Sequence, residues 1–127
     1  MQTSTILTQP ADFALGTSFY RNELPMYIRK IKNDCGWKMG DLKSVVIENN
    51  SEKQIVLTAM QPNTEIDSSQ KGEFTILQVL EGELKVTMHR ESAIVRGGQK
   101  FTIYDHAKYK IESLSETFFL FLIAPAY

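Results

Sequence analysis

The sequence predicts an all-β protein, an antiparallel sandwich or closed barrel preceded by a short amino-terminal arm. Short runs typical of β-strands recur from Leu42 onward, turn residues interrupt them about every eight to twelve residues, and helix signals are nearly absent after Gly40. A chain of 127 residues is long enough for one domain with its own hydrophobic core. We therefore expect one structural domain, with residues 1–40 as the arm and residues 41–127 as the barrel.

The arm contains one segment, Leu24–Lys32, whose conformation the sequence leaves open. Leu24, Ile28 and Ile31 have helical spacing, and Pro25 suits the first turn of a helix. The same segment also alternates in the way expected of an edge strand. Turn residues follow it, at Asp34-Cys35-Gly36 and at Gly40-Asp41.

Eight strands are predicted in the barrel, each ending near turn residues. They cover residues 42–48, 54–60, 75–80, 84–88, 93–95, 101–104, 109–113 and 117–123. Gly82 lies in a tight turn between two of these strands, so we expect it to adopt a positive φ. The last strand contains F-F-L-F-L-I-A and is apolar on both faces, so the barrel core should cover one face and the arm or a second subunit the other.

Composition and charge exclude several classes of function. The chain is 43% hydrophobic with a net charge of −1, and without a basic excess we expect no nucleic-acid partner. The amino terminus does not resemble a signal peptide and the longest apolar run is too short to cross a bilayer, which favours a cytoplasmic protein without a membrane partner. The single cysteine, Cys35, can form neither an internal disulfide nor a zinc site by itself.

Three features of residues 53–123 resemble those of small single-domain cupins of the RmlC-like type. They are V-L-E-G-E-L at residues 79–84, the Gly97-Gly98-Gln99 turn before a strand, and the apolar closing strand after Leu114-Ser115-Glu116. The resemblance implies a cupin-like jelly roll, which is an antiparallel double-stranded β-helix. It also implies a homodimer, which the closing strand makes physically reasonable because both of its faces need cover.

The first cupin motif usually carries two histidines and a glutamate that bind a metal ion. By the motif's spacing, the glutamate position is Thr75 here. The histidine positions are either Ser68 and Gln70 or Ser69 and Lys71, depending on the spacing used. None of these residues binds a transition metal well, because such a site needs several imidazole or carboxylate ligands.

In the second motif the last metal-binding histidine is replaced by Tyr109, with Tyr104 and His106 at preceding positions of the motif. The chain has only one other histidine, His89, which lies in a predicted hairpin turn and is expected to be exposed. We therefore expect no metal centre and no other cofactor.

The resemblance favours a binding module whose barrel encloses a small molecule, such as a sugar or a carboxylate. Lys71 and Lys108 could bind a carboxylate or phosphate, although two solvated lysines are the simpler interpretation. The candidate ligand-binding residues occupy or flank the former metal positions, and they are Ser69, Lys71, Thr75, Tyr104, His106 and Tyr109.

Two alternatives stay open. The first is a metal-independent epimerase or isomerase, in which His106 would be the general base and Tyr104 or Tyr109 the general acid. Adjacent strand residues point to opposite faces, so Asp105 is poorly placed to orient His106. The second is a barrel filled by its own bulky side chains that serves as a dimerisation scaffold. Enzymatic activity is therefore uncertain, and no catalytic residue is assigned.

Overall fold

The computed structural model describes residues 23–49, 51–70, 73–103 and 107–125. Within these ranges the chain forms two helices, α1 (Leu24–Lys32) and α2 (Cys35–Met39), followed by nine strands. The strands are β1 (Leu42–Asn49), β2 (Gln54–Met60), β3 (Glu65–Gln70), β4 (Glu73–Glu81), β5 (Glu83–Met88), β6 (Glu91–Arg96), β7 (Lys100–Ile103), β8 (Ala107–Ser113) and β9 (Thr117–Pro125). Neither helix has the length and apolar character needed to cross a membrane.

The strands form two antiparallel sheets. Sheet A has five strands in the order β1-β2-β9-β4-β7, and sheet B has four in the order β3-β8-β5-β6. Apolar side chains from both sheets form one shared cluster, so the sheets pack face to face as a jelly roll. The predicted all-β antiparallel fold is confirmed.

The segment Leu24–Lys32, for which the sequence left both a helix and an edge strand open, forms helix α1. Leu24, Ile28 and Ile31 are 4%, 8% and 2% exposed, so their helical spacing places all three on one buried face. Pro25 lies in the first turn, where the missing N–H breaks no hydrogen bond of the helix. Burial of this face against the sheet favours the helix over an edge strand.

Helix α2 includes Cys35 and Gly36, where the sequence predicted a turn, and that part of the prediction was wrong, whereas Gly40-Asp41 lies after the helix in a bend of the chain. Asp34 caps the helix, because its Oδ1 accepts a hydrogen bond from the backbone N–H of Gly36 at 2.7 Å. Lys43 of β1 pairs with the other carboxylate oxygen, and the pair together with this cap lowers the pKa of Asp34 from its ordinary value of 3.8. The error arose because Asp and Gly are typical of helix ends as well as of turns.

Both helices cover the outer face of sheet A. Phe118, Leu120 and Leu122 of β9 point to this face and belong to a buried cluster that includes the helix residues. The ring centroids of Trp37 and Phe118 are 5.8 Å apart, and Lys32 Nζ lies 5.2 Å from the Phe118 ring. The arm, rather than a second subunit, therefore covers the second apolar face of the closing strand. The division of the chain at residue 40 stays a prediction.

Each of the eight predicted strands corresponds to an observed strand, whereas β3 was not predicted. The sequence of β3, E-I-D-S-S-Q, contains one apolar residue, Ile66, and little that is typical of a strand. The segment is a strand because its backbone pairs with β8 along its whole length. Pairing between distant segments thus outweighs the weak local preference.

Gly82 lies at the corner where the chain passes from sheet A to sheet B. Its φ of 98° confirms the expected positive value. The backbone N–H of Gly97 donates to the carbonyl oxygen of Gly82 at 3.2 Å, which holds the corner against the turn between β6 and β7.

The space between the sheets is filled by apolar side chains over most of its depth. From the Gly82 corner toward the other end, the inward residues of β4 are Val79, Leu77 and Thr75, and those of β8 are Ser113, Ile111 and Tyr109. Leu77, Val79 and Ile111 are fully buried. Thr75 and Tyr109 belong to the last layer, at the far end of the barrel.

Candidate functional site

The candidate site lies at the barrel end that we call the mouth, where β3 and β7 end and β4 and β8 begin. The residues that mark this end are Gln70, Glu73, Ile103 and Ala107. Among the sequence-predicted site residues, the structure brings Thr75 and Tyr109 together at the mouth, from opposite sheets. Lys71, Tyr104 and His106 lie outside the described residues, so their roles stay predictions.

Thr75 faces the space between the sheets and is 2% exposed. It lies two residues before Leu77 on β4, and alternate residues of a strand share a face. Its neighbours across the sheet are Ile103 of β7 and Ile123 of β9. The Thr75 hydroxyl is therefore placed on an apolar wall near the mouth.

Tyr109 faces the same space from sheet B and is 9% exposed. It lies two residues before the fully buried Ile111, and its neighbour on β5 is Met88. The residue belongs to the apolar cluster between the sheets, together with Leu77 and Phe119. Its ring fills part of this core, which agrees with the structural role that an aromatic strand residue commonly has.

Neither hydroxyl forms a hydrogen bond with another residue in the part of the chain that the structure describes. Other buried hydroxyls of the barrel do. Thr117 Oγ1 accepts from the backbone N–H of Glu83 at 3.1 Å, and Ser113 Oγ accepts from the backbone N–H of Thr64 at 3.0 Å. Thr75 and Tyr109 thus carry hydrogen-bonding capacity at the mouth that the described residues do not use.

The end of β3 carries the histidine positions that the resemblance implies for the first motif. The backbone of β3 pairs with β8, with position 68 opposite Tyr109 and position 69 opposite Lys108. The ligand-binding role of Ser69 and the choice between the two spacings of the motif stay predictions.

Thr75 and Tyr109 stand where the resemblance implies metal ligands, and their chemistry does not fit a divalent transition metal. They offer hydroxyl oxygens, whereas such an ion needs several imidazole, thiolate or carboxylate ligands. Within the described ranges, no three His, Cys, Asp or Glu side chains are grouped in a way that could hold a metal ion.

His89 lies in the turn between β5 and β6, as predicted, and is exposed. His89 and Arg90 form the two-residue connection, with φ of 49° and 69°. The imidazole is thus outside the lumen.

Several solved structures share the fold of this chain. A cupin superfamily protein from Desulfitobacterium hafniense is similar with a TM-score of 0.63 at 16% identity, over 69% of this chain and 80% of that one. The cupin domain of Schizosaccharomyces pombe Cnp3 gives 0.62 at 15% identity, over 66% and 64%. KdgF from Halomonas sp. gives 0.62 at 14% identity, over 68% and 80%. Neither a protein-family model nor a curated protein matches the sequence.

Proposed function

We propose that this chain, which has the cupin fold, binds a small organic molecule at the mouth of its barrel without a standard metal centre. The observation that carries the proposal is the pair of buried hydroxyls at Thr75 and Tyr109, which lack hydrogen bonds to other described residues. They lie on opposite sheets, and the proposal places the molecule between them.

The energetic cost of these two hydroxyls supports the proposal. A hydroxyl buried without a partner costs about 1–3 kcal/mol. Valine in place of Thr75 and phenylalanine in place of Tyr109 would keep the shapes and avoid that cost. A binding site, by contrast, needs a few polar groups on a mainly apolar concave surface. Threonine at position 75 and tyrosine at position 109 are therefore expected of a binding site, in which polar groups lower the stability of the ligand-free protein and form hydrogen bonds with the ligand.

The depth of the barrel limits where a ligand can lie. Leu77 and Ile111, one layer below the two hydroxyls, are fully buried and form an apolar floor. Each hydroxyl above that floor can donate and accept hydrogen bonds. A sugar or a small carboxylic acid offers the matching oxygen atoms, and its carbon skeleton can contact Ile103.

The hydroxyl groups of Thr75 and Tyr109 are poor ligands for a transition metal, and this supports a site that works without one. Elemental analysis of the purified protein tests this part of the proposal. We expect iron, manganese, nickel and zinc far below one atom per chain. A near-stoichiometric amount of any of them would overturn the metal-free assignment and favour a metalloenzyme.

Binding itself is tested by thermal denaturation in the presence of a panel of sugars and carboxylic acids. A ligand at a hundred times its dissociation constant should stabilise the protein by about 2.7 kcal/mol. Thr75→Val and Tyr109→Phe should each remove most of that stabilisation. Thr58→Val is the matched control, because Thr58 is a buried threonine of sheet A whose hydroxyl lies 3.3 Å from that of Ser44. Undiminished stabilisation in both site variants would contradict the proposal.

The same panel separates the two alternatives. A compound that the protein converts, with turnover lost in Tyr109→Phe while binding persists, would favour the isomerase that uses His106 and Tyr109. A panel without any stabilising compound would favour the filled scaffold. The predicted homodimer is tested by light scattering at micromolar concentration, where a monomer would contradict it.

A further inference from the structure

We propose that sheet B carries a second binding site, a groove on its outer face that takes a small oxyanion such as a phosphate or carboxylate group. Met88 and Tyr109, whose side chains belong to the core between the sheets, contribute to the lining of this outer groove, and its other residues are Asp67, Thr87, His89, Lys108 and Lys110. Its volume is about 400 Å³, which is within the range of small-molecule sites. The proposed oxyanion site uses the outward side chains of the groove and does not rest on the function proposed above.

The strand register brings these side chains to one place. Lys108 and Lys110 are two residues apart on β8 and share the outer face, since Tyr109 between them points inward. Lys110 is paired with Thr87 of β5 on one side and with Asp67 of β3 on the other. Three neighbouring strands thus contribute to the same level of the sheet.

The charges of the outer groove favour an anion. Two lysines line it, against the single carboxylate of Asp67. Lys110 has its nearest carboxylate oxygen, on Glu65, at 3.8 Å, and both side chains are nearly half exposed, so the pair is weak. Lys108 has no ion pair with another described residue. An oxyanion between the two ammonium groups would gain charge-assisted hydrogen bonds.

The turn between β5 and β6 places His89 beside the outer groove. His89 and Arg90 both have positive φ, as a two-residue hairpin connection requires. Histidine is one of the non-glycine residue types that adopt such φ values more often than most. The turn thus presents an imidazole, which adds a hydrogen-bonding group, at the edge of the outer groove.

The sequence contained part of this signal. Lys71 and Lys108 are the two lysines that the sequence offers for binding a carboxylate or phosphate. The alternation K-Y-K at residues 108–110 places Lys108 and Lys110 on the same face of β8, opposite to the lumen, while the role of Lys71 stays a prediction. The contributions of Thr87 and Asp67 depend on strand pairing, which the sequence does not show.

The test is a titration followed by the backbone amide signals in NMR, with inorganic phosphate and, separately, acetate. Sodium chloride keeps the ionic strength constant. We expect saturable shifts at the amides of Lys108 and Lys110. The double variant K108Q/K110Q should weaken binding about three- to tenfold. Asp67→Asn should tighten binding, because it removes the one repelling carboxylate.

Lys85→Gln is the matched control, because Lys85 is on the outer side of β5, two residues before Thr87, and does not line the outer groove. It should leave the affinity unchanged. A response to only one of the two anions supports the proposal and identifies the oxyanion. Shifts that do not saturate, or equal losses in K108Q/K110Q and Lys85→Gln, would overturn it.

Discussion

Gly82 and Thr117 approach each other so closely that no side chain fits at position 82. A Cβ at that position would lie 2.5 Å from Thr117 Oγ1 and 2.8 Å from Thr117 Cα. Thr117 is fully buried, and its hydroxyl lies 3.0 Å from the carbonyl oxygen of Glu83 and 2.9 Å from that of Ser115. The contact therefore ties the start of β9 to the corner between the two sheets.

Replacing Gly82 with alanine should destabilise the protein by at least about 3 kcal/mol, since the positive φ and the collision with Thr117 both oppose a side chain. Urea denaturation measures the loss. Gly98→Ala is the matched control, because Gly98 has a φ of 88° but nothing within 4 Å of its would-be Cβ. That variant should lose only about 1 kcal/mol. Equal losses would show that the contact with Thr117 is unimportant.

Truncation of Ile31 to alanine should cost about 2–4 kcal/mol of unfolding free energy, because Ile31 is 2% exposed between α1 and the outer face of sheet A. Met26→Ala in the same helix is the control. Met26 is 38% exposed, so its truncation should change stability by less than about 1 kcal/mol. Similar small losses in both variants would mean that the helix contributes little to the core of sheet A.

The pair of Asp34 and Lys43 predicts a specific dependence of stability on pH. The pKa of Asp34 is lowered in the folded state, mainly by the hydrogen bond from Lys43, so the ionised carboxylate stabilises the fold. That contribution is complete above the unfolded value of 3.8 and is lost as pH falls through the lower folded pKa. Asp34→Asn retains a capping side chain without the charge.

Thermal melting of both proteins over a range of pH checks this expectation. The wild type should melt at a higher temperature than Asp34→Asn at neutral pH, and the difference should vanish as pH falls below 3.8. Asp41→Asn, which alters an exposed carboxylate without an ion pair among the described residues, is the control. A constant difference between wild type and Asp34→Asn would contradict the role of the charge.

Removing the lumen hydroxyls should stabilise the ligand-free protein. Thr75→Val and Tyr109→Phe each delete a buried group without a hydrogen bond to another described residue, and each should add about 1 kcal/mol to the unfolding free energy. Ser113→Ala should have the opposite effect, because the Ser113 hydroxyl accepts from the backbone N–H of Thr64. Calorimetry of the three variants measures whether each substitution raises or lowers the unfolding free energy. Destabilisation by both lumen substitutions would show that these hydroxyls serve the fold.

The candidate site could be predicted from the sequence only in part. Thr75 and Tyr109 followed from the spacing of motifs along single strands, and both lie at the mouth. The ligand-binding role of Ser69 stays a prediction. The outer groove forms because β3 and β5 lie on either side of β8. The sequence does not show these neighbours, so it did not identify Lys110 and Thr87 as residues of a binding site.

The sequence by itself determined the all-β class, the positive φ of Gly82 and the need to cover both faces of β9. These properties follow from local periodicity and from the conformational limits of single residues. Only the tertiary structure decided that the arm provides the outer cover, that β3 is a strand, and that Asp67, Thr87 and Lys110 lie at one level of sheet B. The reason is that each of these depends on pairing or packing between segments far apart in the chain.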